Sequence, residues 1–131
     1  MAPLVTHLAP VLIVDDVKLC IDFWVDRFGF TKENEVPGPD GTLVFASVKS
    51  EARVEIMYQS TASVLAEDPK SGADLKGHSV ALFLQVSDLD TAEAAAKGAP
   101  VVKARHKTFY GSTEFYIKEP GGNTVGFASF G

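Results

Sequence analysis

Cysteine is nearly absent from the chain: Cys20 is the only one. A single thiol cannot close an internal disulfide, which fits a reducing compartment. Long apolar runs are also missing, so no segment reads as a bilayer span. The opening stretch, Met1 to His7, has no basic segment followed by an apolar core. A secretory leader is therefore not expected, and the cytoplasm is the expected location. Basic residues are in deficit as well. Twelve basic residues face seventeen acidic ones, giving a formal net charge of −5 and a pI near 5.1. A nucleic-acid binder needs clustered cations to displace counterions, and an anionic membrane surface needs the same. Neither partner is expected, whereas a cationic small ligand would suit the net charge.

What the sequence does contain is enough apolar material for a real core: 46% of 131 residues are hydrophobic, in the range of an ordinary globular domain. Residues 9–14 read as a short buried strand. Asp15 and Asp16 follow, and either can cap a helix through its side-chain oxygen. Val17, Cys20, Ile21, Trp24 and Phe28 then recur at helical spacing, and Gly29 supplies the stop. Residues 30–36 read as extended. Pro37 to Gly41 form a turn cluster, and 42–48 and 53–59 form a hairpin. Residues 60–77 read as a connection with a short helix around Thr61–Glu67. After it the pattern restarts. Residues 78–86 are expected as a strand, Asp88 as the cap of a helix running to about Lys97, and 101–106, 112–118 and 124–130 as three further strands.

The order is thus βαβββ, a connection, and βαβββ again. Val14-Asp15-Asp16-Val17 answers Val86-Ser87-Asp88-Leu89, and Val54-Glu55-Ile56 answers Val125-Gly126-Phe127. One such unit cannot bury its own sheet face, so two must pack together. The expected fold is a single α+β domain over 1–131, with repeat one at about 8–60, a connection at 61–77 and repeat two at about 78–131. The two βαβββ repeats are expected to form a curved mixed sheet with helices outside.

Two segments carry a family resemblance. The first runs Pro10-Val-Leu-Ile-Val-Asp-Asp-Val-Lys-Leu-Cys-Ile-Asp-Phe-Trp-Val-Asp-Arg-Phe-Gly-Phe30, and the second Tyr110-Gly-Ser-Thr-Glu-Phe-Tyr-Ile-Lys-Glu-Pro-Gly-Gly-Asn123. In this order around an internal repeat they resemble the vicinal oxygen chelate superfamily, which includes glyoxalase I, extradiol dioxygenases, fosfomycin-resistance enzymes and bleomycin-resistance proteins. The Phe23-Trp24 pair and the Gly-Asn turn lean toward the metal-free bleomycin-resistance-like branch. The resemblance implies four metal-ligand positions in the metal enzymes, and these fall on Ala9, Glu55, Ala81 and Gly126. Only Glu55 carries a donor. A divalent catalytic site needs about three converging protein ligands, and without one there is no Lewis acid for lyase or dioxygenase chemistry. No metal and no cofactor are therefore expected. His7 shares the face of Ala9 on an extended strand and could approach Glu55 if the strand shifted. His78 has the opposite parity to Ala81, and His106 sits on a basic edge with Lys103, Arg105 and Lys107.

The small residues at Ala9, Ala81 and Gly126 are expected to leave space for something else. Strand parity puts Glu55, Met57 and Gln59 on one face. It puts Phe83 and Gln85 on the face of Ala81, while Tyr110, Glu114 and Tyr116 come from the final hairpin. These make a ligand cavity with aromatic walls and a few acceptors, with Glu55, Met57, Phe83, Gln85, Tyr110, Glu114 and Tyr116 as its ligand-binding candidates. Each has a structural alternative. Glu55 pairs with a cation such as Arg53, and Phe83 and Met57 are plain core. Trp24 reads as core or subunit packing and Cys20 as inert packing, while Glu33, Glu35, Glu67, Asp68, Lys70 and Asp74 read as solvated. The resemblance also implies a homodimer whose two chains complete each cleft.

Three functional readings remain open. The first is a metal-free binding protein that sequesters an antibiotic-like small molecule. The second is an enzyme, either a metal-dependent lyase or dioxygenase with a site rearranged around Glu55 and His7, or an acid–base catalyst using Glu55 or Glu114. The third is a structural or regulatory module with a vestigial cleft. The missing metal ligands favour the first and lean against an enzyme.

Overall fold

The computed structural model describes residues 4, 8–51, 54–67, 69 and 80–130. Strand β1 (Val11–Val14) leads into helix α1 (Val17–Phe28), followed by strands β2 (Thr31–Pro37), β3 (Leu43–Ser50) and β4 (Val54–Ser60). Helix α2 (Thr61–Glu67) follows. The second unit repeats the order as β5 (Leu82–Gln85), α3 (Leu89–Ala95), β6 (Val101–Lys107), β7 (Ser112–Lys118) and β8 (Thr124–Phe130). Each unit is a four-stranded mixed sheet, β1-β4-β3-β2 and β5-β8-β7-β6, in which a parallel pair joins the first and last strands and the other pairs are antiparallel. The α+β architecture of two βαβββ repeats is the one read from sequence. No helix of the described residues is long and apolar enough to cross a membrane.

Local chemistry explains the boundaries. Asp16 caps α1 by accepting from the Leu19 N–H at 3.1 Å. Gly29 ends it in the left-handed region (φ 71°), and the Phe30 N–H closes back on the Trp24 carbonyl at 3.1 Å. Helix α3 is shorter than the expected run to Lys97. Arg27 of α1 reaches across and donates to the carbonyls of Ala95 (3.4 Å) and Lys97 (2.6 Å), so those acceptors are taken up by a side chain rather than by another helical turn. Strand β5 is shorter than its expected run: Val80 and Ala81 lie just before it, exposed, and Val86 just after, while residues 78 and 79 lie outside the described residues.

The core lies between the units. Phe28 of α1 stacks on Phe127 of β8 at 5.1 Å, and Phe127 stacks on Phe115 of β7 at 5.0 Å. Trp24 and Cys20 are fully buried, as their helical spacing indicates. The Trp24 indole N–H donates to Tyr58 Oη (2.9 Å), which donates to Glu119 Oε2 (2.6 Å). Glu119 Oε1 then accepts from the backbone N–H and side-chain amide of Asn123, at 2.7 and 3.1 Å. This polar chain runs from helix α1 through β4 to the turn between β7 and β8, tying one unit to the other. Burial, and next the neighbouring Glu119, push the Cys20 thiol well above its ordinary value, so it is an inert packing group. Glu33 and Glu35 pair with Lys49 and Lys32 on the exposed strand β2, and Glu67 is exposed. His7, Arg53, Asp68, Lys70, Asp74 and His78 lie outside the described residues.

Candidate functional site

Strand β7 builds the polar centre of the second unit. Ser112, Glu114 and Tyr116 alternate along it and so share one face. The turn before it brings Thr108 and Tyr110 over the same face, with the Thr108 N–H bonded to the Ser112 carbonyl at 2.9 Å. Glu114 is 1% exposed and accepts three hydroxyl hydrogen bonds. Tyr110 and Ser112 donate to Oε2 at 2.6 and 2.7 Å, and Tyr116 donates to Oε1 at 2.9 Å. The cover over the carboxylate is thin, because Tyr110 itself is 51% exposed.

Those bonds set the protonation states. The Tyr110 hydrogen bond, with those from Ser112 and Tyr116 and the nearby His106, holds the Glu114 carboxyl below the ordinary glutamate range against the opposing effect of burial. The donors move the other way. Burial and the Glu114 carboxylate push Tyr116 up to about 12, and Tyr110 is raised chiefly by its hydrogen bond to Glu114. At neutral pH the centre is an anion held by neutral hydroxyls.

Beside it opens a solvent-facing cavity of about 500 Å³, walled by Phe109, Tyr110 and Tyr116, floored by Glu114 and rimmed by Lys103, His106 and Lys107. His106 faces Glu114 across the β6–β7 pair and its ring lies 6.3 Å from that of Tyr116. Phe109 is fully exposed at the tip of the turn, edge-on to Tyr110 at 5.2 Å. A second cavity, also about 500 Å³, lies between α3 and β6–β7. Core residues such as Phe115 and Ile117 line it, and Arg105 at its edge is already paired with Asp90 and Glu93. It is a gap under a short helix, and Lys97 also borders it.

The sequence candidates divide between the two sheets. Tyr110, Glu114 and Tyr116 converge on the first cavity. Phe83 and Gln85 lie two strands away on the same sheet, opposite Gly126 and Ala128 of β8, which in turn oppose Tyr116 and Glu114. Phe83 is 51% exposed, so the plain-core alternative does not hold for it. Glu55 and Met57 are half-buried on β4 of the other sheet, where Glu55 sits opposite Lys49. They do not line this cavity. The expectation of free space at Gly126 is corrected, because the Tyr116 ring covers it and a Cβ there would run into the ring carbons. Ser112, Thr108, Phe109, Lys103 and His106 were missed as site residues. Ser112 was legible from its two-residue spacing to Glu114. Lys103 and His106 were hidden by register shifts in β6 that break strand parity.

Comparison with known proteins places this geometry in a family. The Glyoxalase/Bleomycin resistance protein/Dioxygenase superfamily matches residues 4–127. The chain belongs to that superfamily. Among curated proteins, the uncharacterized protein Rv0887c of Mycobacterium tuberculosis is 30% identical over 118 residues, covering 88% of this chain and 69% of that one. The uncharacterized protein Mb0911c of Mycobacterium bovis is likewise 30% identical, over 88% of this chain and 78% of its own length. Solved structures of similar fold include TnmS3, an antibiotic binding protein from Streptomyces sp. CB03234 (TM-score 0.72, 20% identity, 99% of this chain and 100% of that one). TioX from Micromonospora sp. ML1 is another (TM-score 0.70, 22% identity, 95% and 98%). A lactoylglutathione lyase from Agrobacterium tumefaciens is a third (TM-score 0.67, 19% identity, 97% and 95%).

Fold kinship therefore extends to a protein named as a lyase and to one named as an antibiotic binder, and the site residues must decide between such roles. The superfamily's metal positions do not fit a metal in this chain. Ala9, Ala81 and Gly126 carry no donor, and the Tyr116 ring fills the approach to Gly126. Among the described residues no three His, Cys, Asp or Glu side chains group around a point.

Proposed function

We propose that the protein is a metal-free small-molecule-binding protein that sequesters an antibiotic-like ligand in the Tyr110–Glu114–Tyr116 cavity. One observation carries the reading. The carboxylate at the cavity floor is held by three hydroxyl groups, so most of its acceptor capacity goes to organising the aromatic walls. Acid–base catalysis would need a carboxyl raised toward neutrality, and these bonds move Glu114 the other way. A preformed aromatic cavity with fixed polar groups suits affinity without turnover, and the fold kinship with TnmS3, an antibiotic binding protein, supports it. In this reading two copies pair as a homodimer, the sheet carrying Glu55 and Met57 of one copy completing the cleft over the cavity of the other, in the cytoplasm.

The test is metal content by plasma mass spectrometry after incubation with Zn, Ni, Mn and Fe(II) and desalting, followed by a thermal-shift screen of aromatic antibiotics and metabolites. Substoichiometric metal together with a stabilising, unchanged ligand is expected. Near one metal per chain, or turnover of the ligand, would overturn the reading.

A further inference from the structure

The charge around the cavity does not match the charge of the chain. The protein is acidic overall, and three of its lysines are consumed by ion pairs: Lys18 with Asp22, Lys32 with Glu35, Lys49 with Glu33. On strand β6 the one arginine, Arg105, is likewise paired on the helix side of the sheet, with Asp90 and Glu93. Lys103 and Lys107 on that same strand border the cavity instead, and among the described residues no ion pair engages either of them. His106 stands between them, one ring nitrogen bonded to the Ala104 carbonyl at 2.9 Å. Among the described residues the only carboxylate in the lining, Glu114, is screened from solvent beneath hydroxyl groups. A molecule entering therefore meets two lysine cations and a histidine at the rim before any negative charge.

The walls add a shape. Phe109 presents an uncovered ring and Tyr110 a half-covered one, set at 78° to each other, with the Tyr116 ring as a third wall. Flat rings find stacking and edge contacts here, while an ammonium or guanidinium would be repelled by the rim. From this arrangement we infer that the cavity takes a planar aromatic monoanion, an aryl carboxylate of one to a few fused rings, with its carboxylate at Lys103 and Lys107 and its ring between Phe109 and Tyr116. This reverses the preference for a cation that the net charge alone suggests. It rests on the proposed binding function and names the ligand class of that site.

The test uses three isosteric probes, 2-naphthoate, 2-naphthamide and 2-naphthylmethylammonium, titrated into the protein and followed by amide NMR shifts of residues 103–116. 2-Naphthoate is expected to bind about fivefold tighter than the amide, as one solvent-screened charge contact of about 1 kcal/mol gives, and the ammonium weakest. Added salt should shrink the advantage. Lys103→Gln with Lys107→Gln should abolish the advantage of the carboxylate over the amide, and Phe109→Ala should weaken all three. Equal or tighter binding of the amide or ammonium at the same residues would overturn the anion inference and leave the cavity standing. Failure of all three to shift residues 103–116 at millimolar concentration would overturn both.

Discussion

Two buried glutamates, five residues apart in sequence, do opposite jobs with the same chemistry. Glu114 and Glu119 are 1% and 2% exposed, and each accepts three hydrogen bonds, tyrosine hydroxyls among them. Glu119 gathers Tyr58 and Asn123 where the two units meet, and no described cavity reaches it. Glu114 gathers Tyr110, Ser112 and Tyr116 at the floor of a cavity. A buried carboxylate satisfied by neutral donors rigidifies whatever it holds. What differs is whether the held groups face another part of the chain or open space.

The comparison breaks most visibly at the joint. Glu119→Ala leaves the Tyr58 hydroxyl and the Asn123 amide groups without their acceptor in a closed interior. It should cost about 3 kcal/mol, and Tyr58→Phe, which strands Trp24 Nε1 as well, about 2 kcal/mol. Denaturant unfolding would read both. Ligand affinity, measured where the variants remain folded, should be unchanged. A fall in affinity at these positions with stability intact would erase the distinction between joint and site.

Gly126 sharpens it from the other side. Its missing Cβ makes room for the Tyr116 ring, which delivers a hydroxyl to Glu114. Gly126→Ala should cost about 2 kcal/mol by overpacking and weaken ligand binding by displacing that ring. In a Tyr116→Ala background the same substitution should cost almost nothing. A coupling of about 1–2 kcal/mol in the double-mutant cycle is expected, and additive effects would mean that the ring does not depend on the glycine.

Much of this fold was legible because its punctuation is local. Asp16 and Gly29 bound α1, Asp88 caps α3, and the period of two along 112–118 gives β7 its faces. Glu114 and Tyr116, expected together from the final hairpin, share one face of that strand. What escaped depends on contacts that local pattern does not encode. The register shifts of β6 turn Lys103 and His106 toward the cavity against simple alternation. Arg27 satisfies the end of a helix 68 residues away by donating to its carbonyls. Glu119 carries no local signature, because its partner Tyr58 lies 61 residues earlier in the chain. Glu55 carried the metal argument in sequence yet stands on the other sheet, since which strand edges meet is decided by how the two units pack.

The smallest expected effect is a titration, and it separates the two glutamates without perturbing the fold. The chain has three tyrosines, Tyr58, Tyr110 and Tyr116, and all three are raised above the ordinary phenol value. For Tyr58 the chief cause is burial and then Glu119; for Tyr110 it is the Glu114 hydrogen bond. A group whose folded pKa is raised stabilises the fold fully below its unfolded value, and that contribution disappears as pH rises through the folded value. Stability should therefore decline from about pH 10 toward the value near 12 reached by Tyr116. Glu114 works in the opposite direction: its lowered carboxyl contributes above the ordinary glutamate value and loses that contribution as pH falls through the folded one. Glu114→Gln should cost only about 1 kcal/mol, because a neutral acceptor remains. It should bring the ionisation of Tyr110 down first and that of Tyr116 partly, as followed by tyrosinate absorbance or ring-carbon NMR. Tyr58 should not move. A shift of Tyr58 in that variant would mean the two carboxylates share one network and that the joint and the site are a single unit.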